Sequence, residues 1–315
     1  MITYILRRLA QAVPVVLVVS AVVFFLLRLI PGDPALVIAG PDAGPEQVAA
    51  VRHDLGLDQP LPNQYAIWLS RAISGDLGKS YITRRPVAEL IGRAMPATIQ
   101  LVFAGILIAL FLGIPLGVAA GLRPYQFWDT VLAIMAALTL GVPNFLLGII
   151  YLLIFSLLLG LLPPGGRVDP SVDFPAGLKS LILPAITLGL PTASVFARFV
   201  RIELLNAMRQ DYIRTAHSKG LSNNTVAYRH ALPNALLPLA TIVGVQLARL
   251  LGGTLVIEQV FTWPGMGRLA LQAVQTRDYM LFQGIVLLLA ISAVLINLLA
   301  DLTYGFLDPR IRGAR

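Results

Sequence analysis

The 315-residue chain has no cysteine and only three histidines. The absence of cysteine excludes disulfides and thiolate metal sites. His53, His217 and His230 are too few and too scattered to hold a metal ion without carboxylates. Charged residues are also scarce, at 13% against roughly 25% in soluble domains. Because 57% of the residues are hydrophobic, we predict an integral membrane protein.

The net charge of +8 would suit a nucleic-acid partner, but the basic residues do not cluster with stacking aromatic residues on a soluble domain. In a membrane protein, an excess of Lys and Arg is typical of the cytoplasmic side. We therefore expect contact with membrane lipid and no nucleic-acid partner.

Known catalytic motifs are missing, including G-x-S-x-G and H-E-x-x-H. Gly78-Lys79-Ser80 resembles the end of a P-loop, but Ile73 occupies the position where that motif needs its first glycine. An intramembrane protease would need paired aspartates within spans, and only Asp301 comes close. We therefore predict no catalytic residue, no metal and no cofactor in this chain.

Six apolar runs are each long enough to cross about 30 Å of hydrocarbon. The third is ambiguous, because Val131–Leu162 is too long for one straight span and too short for two. It is broken at Gly141-Val142-Pro143-Asn144, and two crossings would leave the later basic residues outside. One span preceded by a helical segment puts both termini in the cytoplasm. The predicted all-α bundle has the spans Leu9–Leu27, Ala97–Ala120, Pro143–Leu162, Lys179–Ala197, Ala235–Ile257 and Leu281–Ala300.

Residues 31–96 are polar and mixed in charge, unlike the rest of the chain. Pro45, Pro62 and Pro86 each precede apolar residues at helical spacing, as expected at the start of a helix. We predict a small helical extracytoplasmic subdomain whose last helix lies along the membrane surface. It would separate the first span, in residues 1–30, from a five-helix core over residues 97–315.

Four polar residues lie in or beside the predicted spans: Asn144, Gln246, Arg249 and Asn297. Polar groups inside a membrane are costly and suggest a function. Gln246 and Arg249 are three residues apart and share a helix face. They either line a polar cavity for a hydrophilic substrate or join neighbouring helices, and the residues alone leave both interpretations open.

A polar, basic segment, residues 211–233, separates the fourth and fifth spans on the predicted cytoplasmic side. Asp211 is suited to cap a helix over Tyr212–Lys219, and Gly220 is suited to end it. We predict a first helix followed by a glycine turn.

The second half of this segment predicts another short helix, capped by Ser222 and running to Leu232. Pro233 would end it and begin the return to the membrane. An ordinary solvated loop is an equal alternative from these residues alone.

The spacing from Gly220 to His230-Ala231-Leu232-Pro233 resembles the signature of ABC importer permease subunits, E-A-A-x3-G-x9-I-x-L-P. Here Arg214-Thr215-Ala216 occupies the E-A-A positions and His230 the Ile position, which resembles the peptide-permease branch. Other segments that resemble this branch are Leu29-Ile30-Pro31-Gly32-Asp33-Pro34, Gly56-Leu57-Asp58-Gln59-Pro60-Leu61, Gly75-Asp76-Leu77-Gly78-Lys79-Ser80, Glu258-Gln259-Val260-Phe261, Trp263-Pro264-Gly265-Met266-Gly267 and Asp308-Pro309-Arg310.

The resemblance implies a type I ABC importer permease fold in the bacterial cytoplasmic membrane, importing di- or oligopeptides. The implied partners are a homologous second permease, two ATPases or one fused ATPase that use ATP and Mg, and an extracytoplasmic substrate-binding protein. Residues 31–96 and Trp263–Asp278 would face the binding protein. Residues 199–233 would form the coupling segment, with the ATPase-coupling residues Asp211, Arg214, Thr215, Ala216, Lys219, Gly220, His230, Leu232 and Pro233.

Two alternatives stay open. The same branch includes permeases for glutathione and nickel complexes, so one of these solutes is the alternative substrate. A stand-alone secondary transporter would show internal repeats and intramembrane titratable groups. The sequence shows no clear repeat, and Asp301 is the only plausible carboxylate.

Overall fold

The computed structural model describes residues 2–29, 33–40 and 42–307. Parts of the predicted motifs at residues 30–32 and 308–310 lie outside these ranges, as does the basic C-terminal tail, and the side chain of Asp301 is also not described. The helices are α1 (Ile2–Leu29), α2 (Pro34–Ala39), α3 (Pro45–Asp54), α4 (Leu61–Ile73), α5 (Val87–Leu122), α6 (Phe127–Gly141), α7 (Asn144–Tyr151), α8 (Phe174–Met208), α9 (Asp211–Ser218), α10 (Asn223–Thr225), α11 (Leu232–Leu236), α12 (Leu239–Val260), α13 (Met266–Gln275) and α14 (Tyr279–Leu307). Two π-helical stretches, Leu152–Leu158 and Val226–Ala231, complete the order.

The membrane-spanning pattern agrees with the predicted all-α bundle. Five segments are long and apolar enough to cross a membrane: Ala10–Leu29, Val87–Leu122, Phe174–Met208, Leu239–Val260 and Tyr279–Ala300. A sixth span results if α6 and the helix Asn144–Leu158, which meet at a bend of 104°, count as one. The bend lies at the predicted break. Val142 is extended there because the ring of Pro143 disfavours a helical conformation in the preceding residue.

Two predicted helix boundaries are wrong. The helix predicted after Pro86 is not separate from the second span, because both belong to α5, which runs for 36 residues through Pro96. Its first turns are buried against α13 and α14 and are therefore not a separate surface helix. The fourth span is also longer than Lys179–Ala197, since α8 runs for 35 residues and contains both Pro184 and Pro191.

The chain divides into two compact units. The first comprises Met1–Thr98 and Pro264–Val294. One of its cores joins Val87, Ile91 and Ala94 to buried residues of α13 and α14, including Ala270 and Ile285. Helices α3 and α4 confirm the two helices predicted after Pro45 and at Pro62.

The second unit comprises Ile99–Trp263 and Leu295–Arg315. Here α5 crosses α8 at backbone contact. A Cβ added to Gly113 would lie 2.7 Å from the carbonyl oxygen of Ala193, and one added to Gly117 would lie 2.5 Å from that of Ala197. Only glycine permits this approach, which explains the four-residue spacing of glycines along α5.

Candidate functional site

The first arm of the coupling segment is an amphipathic helix. Ile213 and Ala216 are buried, and the remaining residues of α9 are exposed. Gln210 is the N-cap and makes no side-chain cap bond, so the prediction that Asp211 caps this helix is wrong. Gln210 is extended and Asp211 is the first helical residue, where its carboxylate still favours the positive end of the helix dipole.

Gly220 forms the turn after α9, as predicted. Its φ of +79° lies in the left-handed region that favours glycine, and its N–H donates to the carbonyl of His217 at 2.9 Å. A Cβ at this position would meet no atom within 4 Å. The glycine is therefore needed for backbone conformation and not for space.

The second arm begins as predicted but ends differently. Ser222 is the N-cap of α10, and its hydroxyl accepts from the N–H of Thr225 at 3.4 Å. The chain then widens into the π-helical turn Val226–Ala231 and continues into α11, so the prediction that Pro233 ends the helix is wrong. Pro233 has no N–H to donate and would clash with the carbonyl four residues earlier in an α-helix. The wider turn before it removes that clash.

Side chains join the two arms. The amide of Asn234 donates to the Tyr212 hydroxyl at 3.4 Å and to the carbonyl of His230 at 2.8 Å. Arg214 lies 3.6 Å from Asp211, and both side chains are almost fully exposed. Leu232 and His230 are half-buried, whereas Thr215 and Lys219 are exposed. The segment is a two-armed element that presents a polar, basic surface.

The four candidate path residues do not form one cluster. Arg249 donates from Nη1 to Oε1 of Gln246 at 3.4 Å, and Gln246 is only 7% exposed. Asn144 is the first residue of α7 and is exposed, as is Asn297 on α14. Among the described residues, no hydrogen bond joins either asparagine to the pair on α12.

An ion pair that the sequence analysis missed joins α6 to α8. Arg201 donates from Nη2 to one carboxylate oxygen of Asp129 at 2.7 Å, and its Nε lies 2.6 Å from the other oxygen. The pair lines a cavity of about 630 Å³ together with Arg198 and apolar residues of α6. The sequence signal for this pair was an acidic and a basic residue, each within or beside an apolar run. Their pairing was not predictable from the sequence, because it depends on how the helices pack.

A second missed site lies in the first unit. Asp278 is buried and accepts hydrogen bonds from the Ser80 hydroxyl and from the N–H groups of Tyr81 (3.0 Å) and Leu281 (3.3 Å). Burial raises the pKa of Tyr81 to about 12, so its phenol stays protonated. Two segments distant in sequence are thereby joined around one carboxylate.

Relatives match the chain over almost its whole length. Residues 113–313 match the family described as binding-protein-dependent transport system inner membrane component, and residues 1–102 match the N-terminal component of such proteins. A protein of Brucella abortus (strain 2308), provisionally named a peptide transport system permease protein, is 44% identical over 99% of both chains. The glutathione transport system permease protein GsiC of Salmonella choleraesuis is 40% identical over 99% of both.

A solved structure supports the fold. The MetNI methionine ABC transporter in an inward-facing conformation has a chain that aligns with a TM-score of 0.55 at 19% identity, covering 70% of this chain and 97% of that one. The resemblance seen in the sequence is thus confirmed, and the chain belongs to the family of inner membrane components of binding-protein-dependent transport systems, the permease subunits of ABC importers.

Proposed function

We propose that this permease subunit moves di- or oligopeptides inward across the cytoplasmic membrane. The 44% identity to a relative named for peptide transport is the observation that carries this proposal. Glutathione is the strongest alternative substrate, because relatives named for its transport are 40% identical over an equal share of the chain. Competition between a dipeptide and glutathione for uptake would separate the two.

The energy would come from partner subunits, because the sequence contains no complete P-loop motif. Lys79 lies in an isolated bridge with Pro86 and not between a strand and a helix, as a P-loop requires. The Ser80 hydroxyl donates to Asp278, so it is already engaged. ATP and Mg would bind to two ATPases or to one fused ATPase, and a second permease and an extracytoplasmic binding protein would complete the importer.

The two-armed element around Gly220 would be the part of this chain that an ATPase holds. It would lie on the cytoplasmic side, as would both termini. Its exposed residues Asp211, Arg214, Thr215 and Lys219 offer charge and hydrogen bonds to a partner. The buried side of α9 fixes that surface to the rest of the second unit.

Gly220→Leu tests this role in an importer reconstituted with its partners in vesicles. We expect loss of ATP-dependent peptide uptake, because leucine is strained at a φ of +79°. Gly160→Leu is the matched control, since Gly160 has a φ of +61° and equally open surroundings but lies outside the segment. Unchanged uptake in the Gly220 variant would refute the coupling role. Uptake without ATP by the chain alone would refute the importer.

A further inference from the structure

Arg249 lies halfway along α12, about 15 Å from either end at about 1.5 Å per residue. If α12 is a membrane span, this places a guanidinium near the middle of the membrane. Charged side chains at that depth face the interior of a bundle or a water-filled path, because contact with lipid is costly.

The face of α12 that carries Arg249 is left uncovered by the described residues. Val245, Arg249, Gly252 and Val256 follow at helical spacing and are all exposed. The opposite face is buried through Leu250, Thr254, Ile257 and Glu258. The exposed stripe therefore faces something other than the described residues of this chain.

The guanidinium of Arg249 has one hydrogen-bond partner among the described residues, the side chain of Gln246. No carboxylate of the described residues lies within 4.0 Å of it, whereas Arg201 on α8 has Asp129. Gln246 accepts from Nη1 and so fixes the guanidinium while leaving its charge uncompensated. An arginine offers several donors in a fixed plane, which suits both oxygens of a carboxylate.

Two glycines leave open space on α12 within one helical turn of Arg249. Gly252 and Gly253 follow Arg249 by three and four residues, and a Cβ added to either would meet no atom within 4 Å. Glycine within a helix is unfavourable relative to alanine, and neither position needs it to avoid a neighbour. The pair leaves a notch of bare backbone on the exposed face.

We propose that Arg249, positioned by Gln246 and flanked by the Gly252-Gly253 notch, forms an anion site in the translocation path that binds the C-terminal carboxylate of a peptide in transit. The proposal rests on the proposed function. Every linear peptide carries that carboxylate whatever its side chains, so one arginine would serve many sequences. A carboxylate of the second permease subunit is the competing occupant.

The absence of cysteine permits a direct test. Gly252→Cys is introduced, and the importer assembled with its partners is treated with methanethiosulfonate reagents carrying either a sulfonate or a trimethylammonium group. We expect the sulfonate reagent to react with Gly252→Cys about threefold faster than with Gly252→Cys/Arg249→Gln. Attraction by a unit charge about 6 Å away in water gives an effect of this size. Gly252→Cys/Arg249→Lys should keep most of this preference.

Dialanine should slow the reaction of Gly252→Cys with the sulfonate reagent, whereas dialanine amide should not. Leu250→Cys, on the buried face, should react slowly with both reagents. An unreactive Gly252→Cys would overturn the proposal, because the face would then be covered by the second permease or by lipid. Reaction rates independent of Arg249, or equal protection by both dipeptides, would also overturn it. Labelling requires no ATP, so failure of uptake by the unmodified importer would count against the proposed function alone.

Discussion

Gly117 and Gly92 lie on the same helix but in opposite surroundings. A Cβ at Gly117 would come within 2.5 Å of the Ala197 carbonyl oxygen, whereas one at Gly92 would meet no atom within 4 Å. The sequence spacing of the glycines indicates close packing somewhere along α5. It does not show that α8 is the partner, because that depends on the packing of the bundle.

Gly117→Ala should destabilise the protein by about 1–3 kcal/mol, since the added methyl group forces α5 and α8 apart. Gly92→Ala is the matched control and should leave stability unchanged or raise it by about 1 kcal/mol, because alanine favours a helix. Thermal unfolding in detergent measures both. An equal effect of the two substitutions would show that α5 and α8 do not meet at Gly117.

One contact in the first unit predicts that the stability of the fold depends on pH. His53 Nδ1 lies 2.8 Å from Asp58, and this hydrogen bond raises the pKa of the imidazole and lowers that of the carboxyl. The raised pKa means that the contact stabilises the fold below the folded-state pKa of His53, and that this stabilisation is lost as the pH rises through that value. The lowered pKa of the Asp58 carboxyl gives the contact a lower pH limit, because the stabilisation is also lost as the pH falls through the folded-state pKa of Asp58.

Carbethoxylation of His53 by diethyl pyrocarbonate measures this shift, because the reagent modifies only neutral imidazole. We expect half-maximal modification at a higher pH in the unaltered protein than in Asp58→Asn, which removes the negative charge. Equal midpoints for His53 in the two proteins would contradict the pair.

At the scale of the helices, the Asp129–Arg201 pair connects α6 to α8. Removing one partner leaves the other charge partly buried, with side-chain exposures of 15% for Asp129 and 23% for Arg201. We expect Asp129→Asn or Arg201→Gln to cost about 1–3 kcal/mol, as for hydrogen bonds to charged groups. The double variant should cost less than the sum of the two, and thermal unfolding of all four proteins completes the cycle. Strict additivity would mean that the two side chains do not interact.

The sequence predicted most helix starts in residues 31–96 and the turn at Gly220, since proline, serine and glycine act through local backbone geometry. The predictions failed where contacts between residues distant in sequence determine the structure. The turns after Pro86 join α5 because α13 and α14 cover them. Pro233 stays inside a helix because the preceding turn widens, which no local rule for proline indicates.

For the molecule as a whole, the bend of 104° between α6 and α7 decides the topology. If the bent pair is one span, Ser171 lies outside the cell and Ser218 inside. A membrane-impermeant maleimide should therefore label Ser171→Cys on intact cells, and should label Ser218→Cys only after permeabilisation. Labelling of Ser218→Cys on intact cells would mean that the bent pair crosses twice.

The apolar spans and the family resemblance were predictable because hydropathy and short motifs are properties of single segments. The candidate path was predicted only in part. Gln246 and Arg249 share a helix and meet as expected, whereas Asn144 and Asn297 lie on other helices and share no hydrogen bond with them in the described part of the chain. Polarity within a span identifies candidates, but only tertiary packing shows which of them share a surface.

The π-helical turn Val226–Ala231 sets the rotation of α9, the first arm of the element, relative to α12. Such a turn holds one residue more than an α-helical turn, and each residue rotates the chain by about 100°. Pro233→Ala would restore an N–H and let the chain recover α-helical phase, turning the exposed face of α9 away from a docked partner. We expect Pro233→Ala to insert into the membrane normally but to lower peptide-stimulated ATP hydrolysis. Pro233 would then determine the direction in which α9 faces its partner and would not serve to end a helix.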